Sequence, residues 1–256
     1  MTDQKQAVQN QFGANAEKYA RSAVFAQGES LSEMIEFIRP QKGWEVLDVA
    51  TGGGHCAFAI APLVKQVVAT DITTLMLSAA KQVADERQLA NIAFEYADAE
   101  TLPYPDGRFD LVTCRIAAHH FSDPSQAVRE MARVCKPGGV VAVIDGIAPA
   151  ERAVADELNA WETIRDPSHV NLLSLNAWAS LFCAANLEAS RIDTFLMTLD
   201  FDDYVLRAGC SAASIARIRD GLINGSPQMR GWLNPRPVGE RLEFSWHQIL
   251  IIGRKP

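Results

Sequence analysis

The sequence predicts an α/β protein built on a doubly wound, mostly parallel seven-stranded sheet, with helices on both faces and helical lid insertions. Three observations carry that prediction. In "VLDVATGGGHCAFAIAP", residues 46–62, a buried strand runs into three consecutive glycines and a helix of small residues. Over residues 44–145, strand patterns alternate with helical patterns of about 10–15 residues, which implies right-handed βαβ units. Two further strand patterns then follow near the C-terminus.

Taken in order, residues 5–39 read as helices, the second with Leu31, Met34, Ile35 and Ile38 on one face. "WEVLDV" is a buried strand, "HCAFAIAPLV" is helical and "QVVATD" is the second strand. "TLMLSAAKQVADERQ" carries Leu75, Leu77, Ala80, Val83 and Ala84 on one broad face. "IAFEYAD" and "FDLVTCR" are further strands, the latter introduced by the turn "PDG". "DPSQAVREMARVC" spaces Ala127, Val128, Met131, Ala132 and Cys135 as an amphipathic helix. It is expected to stop at Lys136-Pro137-Gly138-Gly139, with "VVAVID" as the fifth strand. Helices near "ERAVADELNAWETI" and "SLNAWASLFCAAN" follow, the second capped by Ser174. The strand "ASRIDTFLMTLDF", a helical stretch from "DDYVLRAG" and the strand "FSWHQILIIG" complete the chain. Expected boundaries are an N-terminal helical lid at 1–40, a nucleotide-type core at 41–146, and lid helices with the last two strands at 147–256, all within a single domain.

Composition narrows the partners. Hydrophobic residues make up 48% and charged residues 21%, enough for a folded core. Lys plus Arg number 24 against 31 Asp plus Glu, a net charge of −7, which opposes a nucleic-acid footprint. The longest apolar runs, "GVVAVI" and "QILIIG", are strand-length, and the N-terminus has no apolar signal segment, so no membrane is expected. Five widely spaced cysteines without a CxxC fit a reducing cytoplasm and show no zinc spacing. Small-molecule or protein partners remain, and a homodimer stays open.

The glycine loop can be read chemically. Gly52, Gly54 and Ala57 satisfy G-x-G-x-x-G/A, and Asp71 follows about 20 residues on, as a dinucleotide site requires. Asp48, four positions before Gly52, is the discriminating residue. A carboxylate there would repel a pyrophosphate and attract a cation. S-adenosyl-L-methionine has no phosphate, carries a sulfonium and ends in an ammonium. Asp71 ends a strand where an acid can accept from both ribose hydroxyls, or can favour the N-terminus of the helix beginning near Thr73. Asp98 follows the third strand, where it can accept from an adenine amino group beside apolar Ala99 and Leu102. The carboxylates at 48, 71 and 98 fall one βα unit apart.

"VLDVATGGG", "VVATD", "YADAETLPYPDGRFDLV" and "RVCKPGG" resemble the successive motifs of the class I S-adenosylmethionine-dependent methyltransferases, nearest to the ubiquinone/menaquinone methyltransferase-like family of small-molecule enzymes. The likeness covers residues 8–146. It implies a Rossmann-like core and transfer of a methyl group to a small-molecule acceptor at carbon, oxygen or nitrogen, with S-adenosyl-L-homocysteine as the product. By the same resemblance Asp48, Ala50 and Gly52 lie near the methionine part of the cofactor, and Thr51 and Gly54 are also expected to bind it. Asp71 and Ile72 hold the ribose, with Met76 beside the adenosine. Asp98 with Ala99 takes the adenine, Glu100 is also expected at the cofactor, and Arg115 lines it after the fourth strand. "QFGANAEKYARS" resembles the family's lid, with Phe12, Tyr19 and Ser22 closing over the methyl group. The chain has Ala50 where the family often has a first glycine.

Methyl transfer is an in-line displacement that needs alignment, and a base only where the nucleophile carries a proton. His119 and His120 follow the fourth strand, and either is a candidate base; His119 also suits a contact to substrate. His169 is an alternative base. Arg165 can hold an anionic substrate group or brace its own loop through Asp166. His55 sits in the glycine loop, and Trp161, Trp178 and Trp232 suit either a pocket wall or the core. No metal is expected. Two rivals remain: an NAD-dependent oxidoreductase, supported by the G-x-G-x-x-A pattern with Asp71, and a non-catalytic S-adenosylmethionine-binding protein.

Overall fold

A computed structural model describes residues 3–22 and 28–256. Residues 23–27 of the expected N-terminal lid lie outside them. The helices are α1 Asp3–Ala20, α2 Glu29–Ile38, α3 His55–Ile60, α4 Thr74–Glu86, α5 Pro124–Val134, α6 Arg152–Arg165, α7 Leu175–Ala184, α8 Phe201–Arg207, α9 Ala212–Asn224 and α10 Pro227–Leu233. The strands are β1 Glu45–Val49, β2 Gln66–Asp71, β3 Ile92–Tyr96, β4 Phe109–Arg115, β5 Cys135–Gly146, β6 Glu188–Asp200, β7 Arg236–Val238 and β8 Arg241–Arg254.

The seven expected strands form one sheet in the order β3-β2-β1-β4-β5-β8-β6. The first five are parallel, while β8 runs antiparallel between β5 and β6. An eighth strand, β7, went unread in the sequence; it has three residues and hairpins onto β8. The strand order reverses between β1 and β4, so the loops after them diverge and leave a crevice at their carboxyl ends.

Period-two alternation decides which side chains meet which helices. On one face Leu47, Val49, Val112, Val141, Val143, Ile249 and Ile251 pack with Val128 and Met131 of α5 and with Trp178 and Phe182 of α7. On the other, Val46, Val67, Leu111, Ala142, Leu250 and Ile252 meet Leu31, Met34 and Ile38 of α2 and Ala57 and Ile60 of α3. Helices α6 and α8–α10 form a separate apolar layer over the rising ends of β6 and β8, with Leu158, Trp161, Ile218, Leu222 and Phe244 at its centre. Trp161 and Trp178 are therefore core residues.

Local signals explain the helix starts. The Asp123 side chain accepts the Gln126 N–H at 2.9 Å, one residue before Pro124 opens α5. Ser174 caps α7 as expected, accepting the Ala177 N–H at 3.3 Å. The segment after α5 departs from its expected form. Lys136-Pro137-Gly138-Gly139 reads as a turn, yet β5 begins at Cys135, directly after the helix. Cys135 pairs with Phe109, and the register shift before Leu111 absorbs the irregular residues. Gly138, at φ 75°, donates its N–H to the Lys255 carbonyl at 2.8 Å, so the turn residues are tied to the chain's end.

Among the described residues, no helix is long and apolar enough to cross a membrane.

Candidate active site

The crevice begins with Asp48, the fourth residue of a five-residue strand buried between β2 and β4. Its carboxylate is 1% exposed and accepts from Thr51 Oγ1 and Thr113 Oγ1, each at 2.6 Å. Burial pushes its pKa up, and the two hydroxyl donors pull it partly back. The loop beyond it turns through Ala50 at φ 51°, an unfavourable conformation for a residue with a Cβ. Gly53 is required by contact: a Cβ there would lie 2.8 Å from Ala20 Cα and 2.9 Å from the Tyr19 carbonyl oxygen. Helix α1 thus packs its backbone directly on the glycine loop.

Asp71 ends β2 and ties the loop to the next helix. Its Oδ2 accepts the Gly52 N–H at 3.0 Å and its Oδ1 the Thr73 N–H at 2.8 Å. Burial raises its pKa as well, against those two amide donors. Asp98 and Glu100 follow β3, and the Lys5 ammonium from α1 bridges them, 2.9 Å from Glu100. Arg133 of α5 holds this loop by donating to the carbonyls of Leu102 at 3.0 Å and Tyr104 at 2.8 Å. Further along, α1 donates from Gln9 to the Ile72 carbonyl and from Gln4 to the His120 and Ser168 carbonyls, so it lies across the strand ends.

Beyond β4 the chain turns at Ile116, a β-branched residue at φ 54°. His119 comes next, and its Nδ1 donates to Asp145 Oδ1 at 2.6 Å. Burial alone would lower the pKa of His119, but the charge and hydrogen bond of Asp145 outweigh it and leave the ring above its ordinary value. His120 and His169 behave oppositely. His120 Nδ1 donates to the Ser168 carbonyl at 3.0 Å, and burial, with His119 beside it, pushes its pKa down to about 4. His169 Nε2 donates to Asn159 Oδ1 at 2.8 Å, and burial, with the other two rings nearby, pushes it down to about 2. The His119 ring centre lies 4.1 Å from that of His120 and 5.6 Å from that of His169.

Arg165 closes the far wall. Its Nε donates to the Tyr204 carbonyl at 3.2 Å, its guanidinium lies 4.0 Å above the Tyr204 ring, and its ion pair runs to Glu162 at 3.9 Å. Asp166 is turned to Ser168 instead, accepting its hydroxyl at 2.6 Å.

All of this lines one cavity of about 1500 Å³, open mouth included. It brings together Phe12, Tyr19, Asp48, Ala50, Thr51, Gly52, Asp71, Ile72, Met76, Asp98, Ala99, Glu100, Arg115, His119, His120, Arg165 and His169. Ser22 and Gly54 do not reach the lining. The space a Gly54 side chain would take is filled by the Phe58 ring, 2.4 Å from the Cβ position. The sequence reading missed Lys5, Glu162, Met197, Leu199, Tyr204, Arg207 and Trp246, which also line it.

A doubly wound sheet with a carboxylate at each of three successive strand ends and a glycine loop at its reversal point defines the class: an S-adenosylmethionine-dependent methyltransferase. A family profile described as a methyltransferase domain matches residues 47–143. The uncharacterized methyltransferase YcgJ of Bacillus subtilis (strain 168) is 37% identical over 246 residues, covering 95% of this chain and 97% of the relative. The crystal structure of YcgJ superimposes with a TM-score of 0.84 at 35% identity, covering 88% of this chain and 97% of that one. Demethylmenaquinone methyltransferase of Deinococcus radiodurans is 36% identical over 165 residues, 58% of this chain and 64% of the relative. The chain belongs to the class I methyltransferases, in the same family as YcgJ.

Proposed function

We propose that this enzyme moves the methyl group of S-adenosyl-L-methionine to a small-molecule acceptor seated under α6 and α8, releasing S-adenosyl-L-homocysteine. The observation that carries the reading is the continuity of the cavity: the strand-end carboxylates and the histidine–arginine wall line a single space. A cofactor and an acceptor must share one space for the methyl group to pass directly between them.

The residues fit the cofactor. A Cβ built on Gly52 would meet only Met76 Cε, at 3.5 Å, so the loop leaves room for close approach of a ligand. His55 Nδ1 is buried beside it without a partner among the described residues. Asp48 supplies negative charge toward the methionine end, Asp71 toward the ribose, and Asp98 with Ala99 and Glu100 toward the adenine. When bound, the cofactor supplies an electrophilic methyl carbon. The protein's own contribution is alignment and exclusion of water by Phe12 and Tyr19 from above. The divisions at 1–40, 41–146 and 147–256 then correspond to cofactor cover, cofactor core and acceptor cover. The negative charge supports an acceptor other than nucleic acid, and the dispersed free cysteines support a cytoplasmic setting.

The test is calorimetric titration with S-adenosylmethionine, S-adenosylhomocysteine and NAD, repeated on Asp71→Ala. Micromolar binding of the first two, lost in the variant, is expected. Preference for NAD would overturn the assignment.

A further inference from the structure

Two carboxylates, one behind the cavity wall and one in it, are not needed to hold the cofactor. Asp145, at the end of β5 and behind His119, is 1% exposed, and both of its oxygens accept from His119. Its Oδ2 accepts the His119 backbone N–H at 2.9 Å, and its Oδ1 accepts both the ring Nδ1–H at 2.6 Å and the Gly146 N–H at 2.8 Å. A ring whose Nδ1 carries the proton presents a bare lone pair at Nε2. Among the described residues, no protein group is hydrogen bonded to that nitrogen, and the ring lines the cavity.

Glu162 of α6 is the second. It is 4% exposed, and its Oε2 is taken by the Tyr204 hydroxyl at 2.6 Å. Among the described residues its Oε1 is buried without a hydrogen-bond partner, and the residue lines the same cavity. A buried carboxylate oxygen without a donor is costly, so the geometry calls for a donor from the ligand.

Resting on the methyltransferase reading above, we infer that the acceptor is a small molecule with two hydrogen-bond donors. One is an O–H or N–H that meets His119 Nε2 and loses its proton there; the other meets Glu162 Oε1. Asp145 is the positioning residue that fixes the tautomer and orientation of His119. As the nucleophile's lone pair bonds to the methyl carbon, the carbon–sulfur bond breaks and its electron pair stays on sulfur. The acceptor's proton passes to His119 Nε2, so the positive charge lost at sulfur reappears on an imidazolium beside Asp145. The charged and titratable groups facing His119 are Asp145 from β5, Glu162 from α6, Asp166 and His169 from the following loop, and His120 from its own turn. His120 and His169 stay neutral in that environment, which leaves the proton on His119. Acceptor atoms that lose no proton, such as a thioether sulfur or a tertiary amine nitrogen, do not suit the site.

The first test is a pH titration of isotope-labelled histidines by NMR, on protein without cofactor or acceptor. Neutral His119 should be the Nδ1–H tautomer and titrate above free histidine. Asp145→Asn should lower that value by a unit or more and mix the tautomers, and Asp145→Glu should restore part of the shift. The second test uses saturation-transfer NMR on the S-adenosylhomocysteine complex with catechol and 2-aminophenol, each beside its fully methylated relative. The parent compounds should bind and the methylated ones should not, and Glu162→Gln should weaken the parents about tenfold. An Nε2–H tautomer, a His119 titration unmoved in Asp145→Asn, equal binding by the methylated probes or binding by none of the four overturns the inference. Failure of the wild-type protein to bind S-adenosylhomocysteine would instead sink the methyltransferase reading.

Discussion

Thr113 donates its hydroxyl to Asp48 Oδ1 across 2.6 Å, from one strand to its neighbour, so the charge at the crevice floor is held by β4 rather than by its own loop alone. Thr113→Val keeps the β-branched shape and removes the donor. A hydrogen bond to a charged group contributes about 1.5–3 kcal/mol, and urea denaturation at pH 7 should show a loss of about 2 kcal/mol. Thr113→Ser should retain most of it. The pKa of Asp48, already raised by burial, should climb further in the valine variant.

Acid stability follows from the histidines. His120 and His169 are pushed down to about 4 and about 2, below the ordinary value near 6.5 that they regain on unfolding. Below pH 6.5 the unfolded chain therefore binds protons that the folded one refuses. Their contribution is fully present above pH 6.5 and is lost as pH falls, at up to about 1.4 kcal/mol per pH unit for each group. His119, Asp48 and Asp71, all raised, act in the opposite sense once pH falls through their folded values. Melting temperature measured from pH 7 to pH 5 should drop. His169→Gln should flatten the curve; an unchanged slope would contradict this account of the cluster.

Ala50 sits at φ 51°, where an L-residue other than glycine costs roughly 1–2 kcal/mol. Ala50→Gly should relieve that strain and offset it partly by greater freedom when unfolded. Thermal melting should give a net stabilisation of about 0.5–1 kcal/mol with cofactor affinity retained.

Gly53→Ala acts on the cover rather than the core. The added methyl would strike the backbone of Tyr19 and Ala20 at 2.8–2.9 Å, and main chain cannot swing aside as a side chain can. Hydrogen exchange should accelerate through α1, while amides of β1, β4 and β5 keep their protection.

Much of the crevice floor was legible because its signal is local: an apolar run closed by an acid, as in "VLD" and "VVATD", marks a strand whose end lines the cavity. Asp145 closes "VVAVID" in the same way, and that pattern was the available cue to it. Glu162, Tyr204 and Arg207 offered no such cue. They lie on amphipathic helices, where an inward polar residue looks like any solvent-facing one until the helices are packed. Lys5 pairs with residues 93 and 95 positions away, a relationship that only the docking of α1 creates. The turn at residues 136–139 misled because proline and glycine report local bending; whether a neighbouring strand then captures the bend is a tertiary matter.

The Lys5 bridge to Asp98 and Glu100 has a kinetic meaning. Any ligand group that seats against Asp98 must first displace an ammonium, so arrival is gated by the breaking of an ion pair rather than by diffusion alone. Side chains about one-fifth exposed still feel dissolved salt, which weakens that latch. Salt should also screen the attraction between a cationic ligand and this acidic protein. The two effects oppose each other, and a stopped-flow association rate that first rises and then falls with ionic strength would be the mark of a door held shut by charge.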